Sequence, residues 1–237
     1  VFDSASDVVV YDVEKHEIVT SSRLSGADAF ETFPTFSPDG KSLYFCSAVA
    51  KPMPKSFEEV KYSLCRVDFN PDSRAFGQVV DTLYNAADGG KSVSFPRVSP
   101  DGKYLLYTLA AFGNFSIWHA DADLHMINLQ TGIHDSLTLV NSPEVDSYHS
   151  WSSNSRWFVF SSRRMDGLYT RPYISYIDAN GKACKPFLLP QKDTDFYLQF
   201  MKSYNIPEFV TGKVKKQSRA IALKAKNEKG TDVKFAE

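Results

Sequence analysis

The sequence predicts an all-β protein assembled from repeated four-stranded antiparallel sheets. The first observation is a near-duplication, because "FPTFSPDGKSLYF" at 33–45 returns as "FPRVSPDGKYLLY" at 95–107. The second is a degenerate third copy, "YHSWSSNSRWFVFSS", at 148–162. The third is composition: 14% of the 237 residues are aromatic, including 18 Phe and 12 Tyr, and such side chains favour strands over helices.

Each copy encodes a hairpin of two strands joined by a tight turn. In the first copy a strand ends at Phe36-Ser37 and Pro38-Asp39-Gly40 follows. Pro fixes φ at the first corner, Asp hydrogen-bonds its own backbone, and Gly accepts positive φ. The third copy has Ser153-Asn154-Ser155 at the aligned position, and Asn and Ser also form turns. The second strand of the hairpin follows in all three copies.

Two further strand candidates follow each hairpin. They are 62–69 and 77–84, then 123–129 and 135–141, then 171–178 and 185–190. The stretch 7–21 has the pattern of the last two strands of a preceding unit. Four antiparallel strands at a period of roughly 40–60 residues are typical of β-propeller blades, so we predict three full blades and one half-blade.

Three and a half blades are fewer than the four to eight of a typical propeller ring. We therefore expect this chain to be the C-terminal part of a longer propeller, with the half-blade edge unpaired unless something covers it. Two alternatives remain open: a dimer that completes the ring, and a four-blade ring closed by the terminal strands.

The pattern F/W-S-P-D-G-K-x-L-x-F resembles the WD40-like (PD40) repeat of TolB-type β-propellers. The stretches 113–132, 147–178 and 195–214 resemble more specifically a Bacteroidetes family of TolB-like proteins. The resemblance covers about residues 7–214 and implies a non-enzymatic binding or scaffold module, periplasmic or associated with the cell envelope. Such repeats also occur in enzymes. A propeller-type polysaccharide lyase with a metal site and the propeller of a peptidase-like protein are the alternatives.

The sequence divides into blades over 1–192 and a C-terminal part over 193–237. Phe196, Phe200 and Tyr204 recur at helical spacing, which predicts a short helix over about 194–203. The remainder is basic, beginning with Lys213, Lys215 and Lys216. It is either a solvated, weakly helical extension or a docking tail for an acidic partner.

Charge and cysteine usage limit the class of partner and site. The net charge of −1 gives no support for nucleic acid or an anionic membrane as the main partner. No apolar run approaches the roughly 18 residues of a membrane span. Cys46, Cys65 and Cys184 form no CxxC pair, which favours buried free thiols, although one bridge between Cys46 and Cys65 remains open.

Sequence motifs for catalysis are absent. There is no Gly-x-Ser-x-Gly elbow, Walker A loop, dinucleotide-binding glycine loop or HExxH. We therefore predict no catalytic residue, no cofactor and no metal. His119, Asp121 and Asp123 in "HADAD" have some resemblance to metal ligands, but turn and strand-entry chemistry is favoured.

Ligand-binding candidates lie near the predicted channel mouth and in the loops: Arg97, His119, His149, Arg163 and Arg164. His149 takes the position of Pro34 and Pro96 in the other copies, and it is either a blade-to-blade hydrogen bonder or a ligand-facing imidazole. Arg97 holds the next position in its blade.

Two interpretations of the arginine group remain open. Its members, Arg163, Arg164 and Arg171, either bind a carboxylate or phosphate, or one of them pairs with Asp166. Trp118 and Trp151 either stack on a sugar or pack between blades. The expected partner is an envelope protein or small ligand at the channel mouth, besides the rest of the propeller.

Overall fold

The computed structural model describes residues 4–236 and contains four β-sheets. The chain begins with a short hairpin of β1 (Val10–Asp12) and β2 (Glu17–Val19). Blade 1 then comprises β3 (Ala29–Phe36), β4 (Ser42–Val49), β5 (Ser63–Asn70) and β6 (Ala75–Tyr84). After the single helical turn α1 (Ala86–Gly89), blade 2 comprises β7 (Ser92–Val98), β8 (Tyr104–Ala110), β9 (Asp123–Asn128) and β10 (Ile133–Asp135).

Blade 3 comprises β11 (Asp146–Trp151), β12 (Trp157–Ser162), β13 (Arg171–Tyr176) and β14 (Phe187–Leu188). The C-terminal part contains α2 (Phe196–Gln199), α3 (Ser218–Asn227) and β15 (Lys234–Phe235). Every full blade pairs its strands antiparallel in chain order, which confirms the predicted propeller blades. The first strand of each blade (β3, β7 and β11) is called its inner strand.

The hairpin turn is the same in all three blades. Ser37 Oγ donates to Asp39 Oδ1 at 2.6 Å, and the Ser99–Asp101 and Ser152–Asn154 pairs repeat this bond at 2.7 Å. Gly40 and Gly102 adopt φ of 70° and 73° at the turn, and the aligned Ser155 adopts 58°. The third copy therefore keeps the turn without Pro-Asp-Gly.

A β-bulge interrupts each inner strand at the same position. Phe33, Phe95 and Tyr148 have φ of 51°, 53° and 53°, and the pairing register shifts around each of them. Their rings follow one another from blade to blade, with centroids 4.2 Å apart for Phe33 and Phe95 and 4.6 Å apart for Phe95 and Tyr148. Pro34, Pro96 and His149 share the next position, as the alignment predicted.

A second signature identifies the N-terminal hairpin. The side chains of Asp12, Asn70, Asn128 and Asp178 each accept a hydrogen bond from the backbone N–H two residues later. This Asx turn follows the third strand of each full blade. Since Asp12 ends β1, the β1–β2 hairpin corresponds to the third and fourth strands of a blade, as predicted.

The structure also shows a fourth copy of the inner-strand position. The backbone N–H groups of Val93 and Asp146 donate to the residue just before the third strand of the preceding blade, and Glu31 N–H donates to the Ser6 carbonyl, four residues before β1. Tyr204 N–H makes the same bond to the Thr170 carbonyl at 3.1 Å. "YNIPEF" at 204–209 therefore lies where the first strand of a further blade begins, with Ile206-Pro207 aligned to Phe33-Pro34.

The hydrophobic cores lie between neighbouring sheets. Leu64, Val93 and Tyr107 belong to the core shared by blades 1 and 2, and Leu106, Phe158 and Phe160 to that of blades 2 and 3. Phe45 and Val8 belong to the core between blade 1 and the N-terminal hairpin. Cys46 and Cys65 are free thiols in different cores, on opposite faces of blade 1, so the bridge left open above does not form.

Two predicted elements differ in the structure. The strand expected over 135–141 ends at Asp135, whose carboxylate accepts from Leu137 N–H and starts a turn. The Asn141 amide then pairs with both backbone groups of Leu124, in place of a strand. The helix expected over 194–203 is the single turn α2, because Arg171 donates to the carbonyls of Tyr197 and Phe200 at its end.

The C-terminal strand β15 pairs parallel with β2, on the outer side of the N-terminal hairpin. Between residues 4 and 236, no strand pairs with the inner side of β1, so the terminal strands do not complete a fourth blade. The basic helix α3 is exposed along its whole length.

Candidate functional site

A cavity of about 180 Å³ lies between two loops at the same end of blades 1 and 2. One loop joins β4 to β5 and the other joins β8 to β9, which are equivalent connections in the two blades. The lining is largely aromatic and includes Met53, Phe57, Tyr62, Phe112, Phe115, Trp118 and His119. We call this feature the aromatic cavity.

Hydrogen bonds from Ser92 hold the two loops together. Ser92 Oγ accepts from Tyr62 N–H at 2.9 Å and donates to the Gly113 carbonyl at 2.6 Å. Gly113 N–H donates to the Val60 carbonyl at 2.8 Å. Because these bonds connect one wall of the cavity to the other, the cavity is formed before any ligand enters.

Aromatic contacts continue across the cavity wall. The Phe57 and Phe112 rings meet edge to face with centroids 5.5 Å apart, and Phe112 meets the His119 ring at 4.5 Å. His119 Nδ1 lies 3.9 Å from Asp121 Oδ1. The structure therefore places His119 in the wall of an apolar cavity, beside an acidic side chain.

Arg163 lies over Trp118, which is a cavity residue. The guanidinium carbon is 4.6 Å from the centre of the indole, whose residue is 74% exposed. Within residues 4–236 the Arg163 guanidinium makes no hydrogen bond or ion pair, and its Nε is buried without a partner. Tyr148 lies nearby: burial raises the pKa of its phenol, and Arg163 opposes that shift.

Arg164 points into the core of blades 2 and 3. Its Nη2 donates to Asp146 Oδ1 at 2.6 Å and to the Val140 carbonyl at 2.7 Å. Its Nε donates to Ser162 Oγ at 2.9 Å, and the guanidinium lies over the Tyr173 ring. Burial raises the pKa of the fully buried Asp146 carboxyl, and Arg164 opposes this shift.

Arg171 is the arginine that pairs with Asp166. It is buried, and its guanidinium donates to the Lys202 carbonyl at 2.9 Å and to Asp166 at 3.4 Å. Its donors thus hold the segment after α2 against blade 3, as described above. Nothing in the sequence indicates which arginine takes this role.

His149 and Arg97 lie on inner strands. His149 is 1% exposed, and burial lowers the pKa of its imidazole to about 3, although the backbone of Leu106 and Phe95 opposes this shift. In the described part of the chain, neither ring nitrogen makes a hydrogen bond of normal geometry. The Arg97 carbonyl accepts from Trp151 Nε1 at 2.9 Å, so this tryptophan packs between blades.

Of the five predicted ligand-binding residues, His119 and Arg163 come together around Trp118. Arg97 and His149 lie elsewhere, and the donors of Arg164 are already occupied. The sequence reasoning missed Phe57, Phe112 and Phe115. The signal was present as a high density of aromatic residues in two equivalent loops, 50–62 and 111–122.

Metal and membrane features are also defined by the structure. The described residues contain no group of three or more His, Cys, Asp or Glu side chains placed to share a metal ion. None of the helices between residues 4 and 236 is long and apolar enough to cross a bilayer.

Neither a family model nor a curated protein matches the chain. Among solved structures it is similar to the β-propeller domain of the trilobed protease from Pyrococcus furiosus, at 16% identity and a TM-score of 0.40 over 69% of this chain and 44% of that one. It is similar to a puromycin hydrolase at 15% identity and a TM-score of 0.48, over 75% of this chain and 28% of that one. It is similar to an oligogalacturonate lyase from Vibrio parahaemolyticus at 13% identity and a TM-score of 0.46, over 75% of this chain and 43% of that one.

The chain thus spans less than half the length of each of these three structures. At such identities and scores the likeness carries no conclusion about activity. The catalysis named for those proteins belongs to them.

Proposed function

We propose that this chain is a binding module that receives one aromatic or branched aliphatic group in the aromatic cavity. The observation that carries the proposal is the cavity itself: a half-open, largely aromatic space whose two walls are joined through Ser92. A cavity of roughly 150 Å³ accepts a benzene ring. The volume of about 180 Å³ therefore suits one such group rather than a whole drug-sized molecule.

The cavity alone supports modest affinity. Burying roughly 100 Å² of apolar ligand surface contributes about 2.5 kcal/mol at 25 cal/mol per Å². This is less than the cost of immobilising a free molecule in many complexes. The natural ligand is therefore part of a larger molecule that also contacts the polar groups around the cavity.

The proposal includes a non-enzymatic role and a place among TolB-like, WD40-like repeat propellers of the bacterial cell envelope, of the Bacteroidetes type. The repeat "FSPDGKSLYF" and its copies support that placement. In this role the partner is an envelope protein or a small ligand that presents an apolar group to the cavity.

The experiment is a fluorescence titration with N-acetyl-phenylalaninamide. Trp118 lies at the cavity and is largely exposed, so binding should shift its emission to shorter wavelength. Phe115→Ala, at the cavity, should weaken binding. Phe187→Ala, in blade 3, should not, and the two phenylalanines are matched at 44% and 45% exposure.

No spectral change at millimolar probe, or equal loss in both variants, would overturn the proposal. Metal retained through purification, together with that failure, would instead favour the lyase alternative.

A further inference from the structure

We infer that the group bound in the aromatic cavity belongs to a ligand with a carboxylate, and that Arg163 binds this carboxylate. The inference rests on the proposed function and names the ligand class of the same site. The three arginines that follow β12 or open β13 differ in the partners of their guanidinium groups.

The donors of Arg164 and Arg171 are directed to acceptors within the chain. Arg164 bonds Asp146, Val140 and Ser162. The terminal nitrogens of Arg171 bond four backbone carbonyls and Asp166, and its Nε alone lacks an acceptor between residues 4 and 236. Arg163 makes no such bond within the described residues. A guanidinium carries five N–H donors in a planar fork, so an Arg held in place without acceptors is suited to an external anion.

Arg163 is nevertheless positioned by its surroundings. Its backbone N–H donates to the Val145 carbonyl at 3.3 Å, and its side chain lies over the Trp118 indole. Stacking on an aromatic face leaves the edge of a guanidinium available for in-plane hydrogen bonds. Trp118 also lines the aromatic cavity, so a single ligand can contact the cavity and Arg163 together.

The acidic side chains of this region have other cationic partners. Asp166 accepts from Arg171 and from the backbone N–H groups of Leu168 and Tyr169. Asp121 lies 3.7 Å from Lys91 Nζ. Arg163 lies near enough to Asp166 to help lower the pKa of that carboxyl. Between residues 4 and 236, however, no carboxylate lies within ion-pair distance of the Arg163 guanidinium, so one bound carboxylate would fill that place.

A planar carboxylate fits better than a phosphate. One guanidinium matches the two oxygens and single charge of a carboxylate in a bidentate pair. A phosphate monoester carries nearly two charges at neutral pH and would need a second cation at the site.

The test compares N-acetyl-phenylalanine with N-acetyl-phenylalaninamide, which share the benzyl group and differ only in the terminal group, a carboxylate in one and a neutral amide in the other. The wild-type chain should bind the acid about tenfold more tightly than the amide at neutral pH and low salt, and added salt should reduce that ratio. Arg163→Gln should bring the ratio close to one. Arg163→Lys should keep part of the preference.

Arg219→Gln is the matched control, because Arg219 is exposed on α3. It should leave the acid-to-amide ratio unchanged.

The outcomes separate the two proposals. If both probes bind equally and Phe115→Ala weakens both, the cavity function stands and the carboxylate inference is wrong. If Arg163→Gln and Arg219→Gln reduce the ratio equally, the preference comes from overall charge, and the inference is wrong. If neither probe binds, the proposed function fails, and the inference fails with it.

Discussion

Arg163 and Arg164 are adjacent in sequence, and we predict opposite consequences for their replacement. Arg164→Met leaves the Asp146 carboxylate, which is fully buried, without its cation at 2.6 Å. Removing one partner of a buried ion pair costs about 3–5 kcal/mol. For a chain of this length, that loss lowers the melting temperature by roughly 10 °C. The lost bonds to Val140 and Ser162 act in the same direction.

Arg163→Met is the matched control. It removes only the stacking of a guanidinium on Trp118, which is worth about 0.5–1 kcal/mol at an exposed site. Urea unfolding followed by circular dichroism gives the free energy of unfolding of each of the two variants. In the Arg164→Met background, Asp146→Asn should restore part of the stability, because it removes the uncompensated charge.

Equal losses for Arg163→Met and Arg164→Met would refute the division of the two arginines into an internal and an external role. Absence of any recovery on adding Asp146→Asn would show that packing, not charge, is what Arg164 provides.

Three further predictions concern the pH dependence of stability and the C-terminal segment from residue 204 onward. Burial raises the pKa of Glu31 from 4.5 to about 7. The free energy of unfolding should therefore fall by up to about 3 kcal/mol as pH rises from 4.5 to 7. Glu31→Gln should remove this pH dependence, as measured by urea unfolding. Burial lowers the pKa of His149 from 6.5 to about 3, so the wild type should lose stability as pH falls below 6.5. His149→Pro, which restores the residue of the other blades, should reduce that loss and change stability at pH 7.5 by no more than about 1 kcal/mol. A chain ending at Phe209 should melt within a few degrees of the full chain, because α3 buries no side chain and β15 pairs with β2 through only two exposed residues. A chain ending at Ser203 lacks the bonds that residues 204–209 make to Ser150, Ser161 and Thr170, and its free energy of unfolding should fall by about 3 kcal/mol. Equal melting of the two truncated chains would contradict a role for residues 204–209 at the inner-strand position.

The blades could be predicted because their signals are local. A hairpin turn such as Ser37 to Gly40 is encoded in consecutive residues, and strand alternation follows directly. The segment 204–209, at the inner-strand position, was missed because no hairpin turn and second strand follow it, and only its hydrogen bonds to blade 3 identify it. The aromatic cavity was missed for a related reason, since its walls come from loops about 60 residues apart that Ser92 connects.

Whether a buried acidic residue has a cationic partner depends on its neighbour across the sheet, which the sequence does not reveal. Glu31, Val93 and Asp146 hold the same position in three blades, as their backbone bonds show. In blade 3, Asp146 pairs across the sheet with Ser162, and Arg164 two residues later supplies the cation.

In blade 1, Glu31 pairs across the sheet with Ser47, and the residue two positions later is Val49. Glu31 therefore has no equivalent cation, and burial beside Asp7 raises its pKa. In blade 2 the position is Val93, which packs in an apolar core and needs no cation. The repeat thus fixes the backbone bond in every blade, whereas a single side chain across the sheet decides whether a buried acid is neutralised. Arg164, whose counterpart in blade 1 is Val49, therefore determines that the buried acid of blade 3 is paired while that of blade 1 is not.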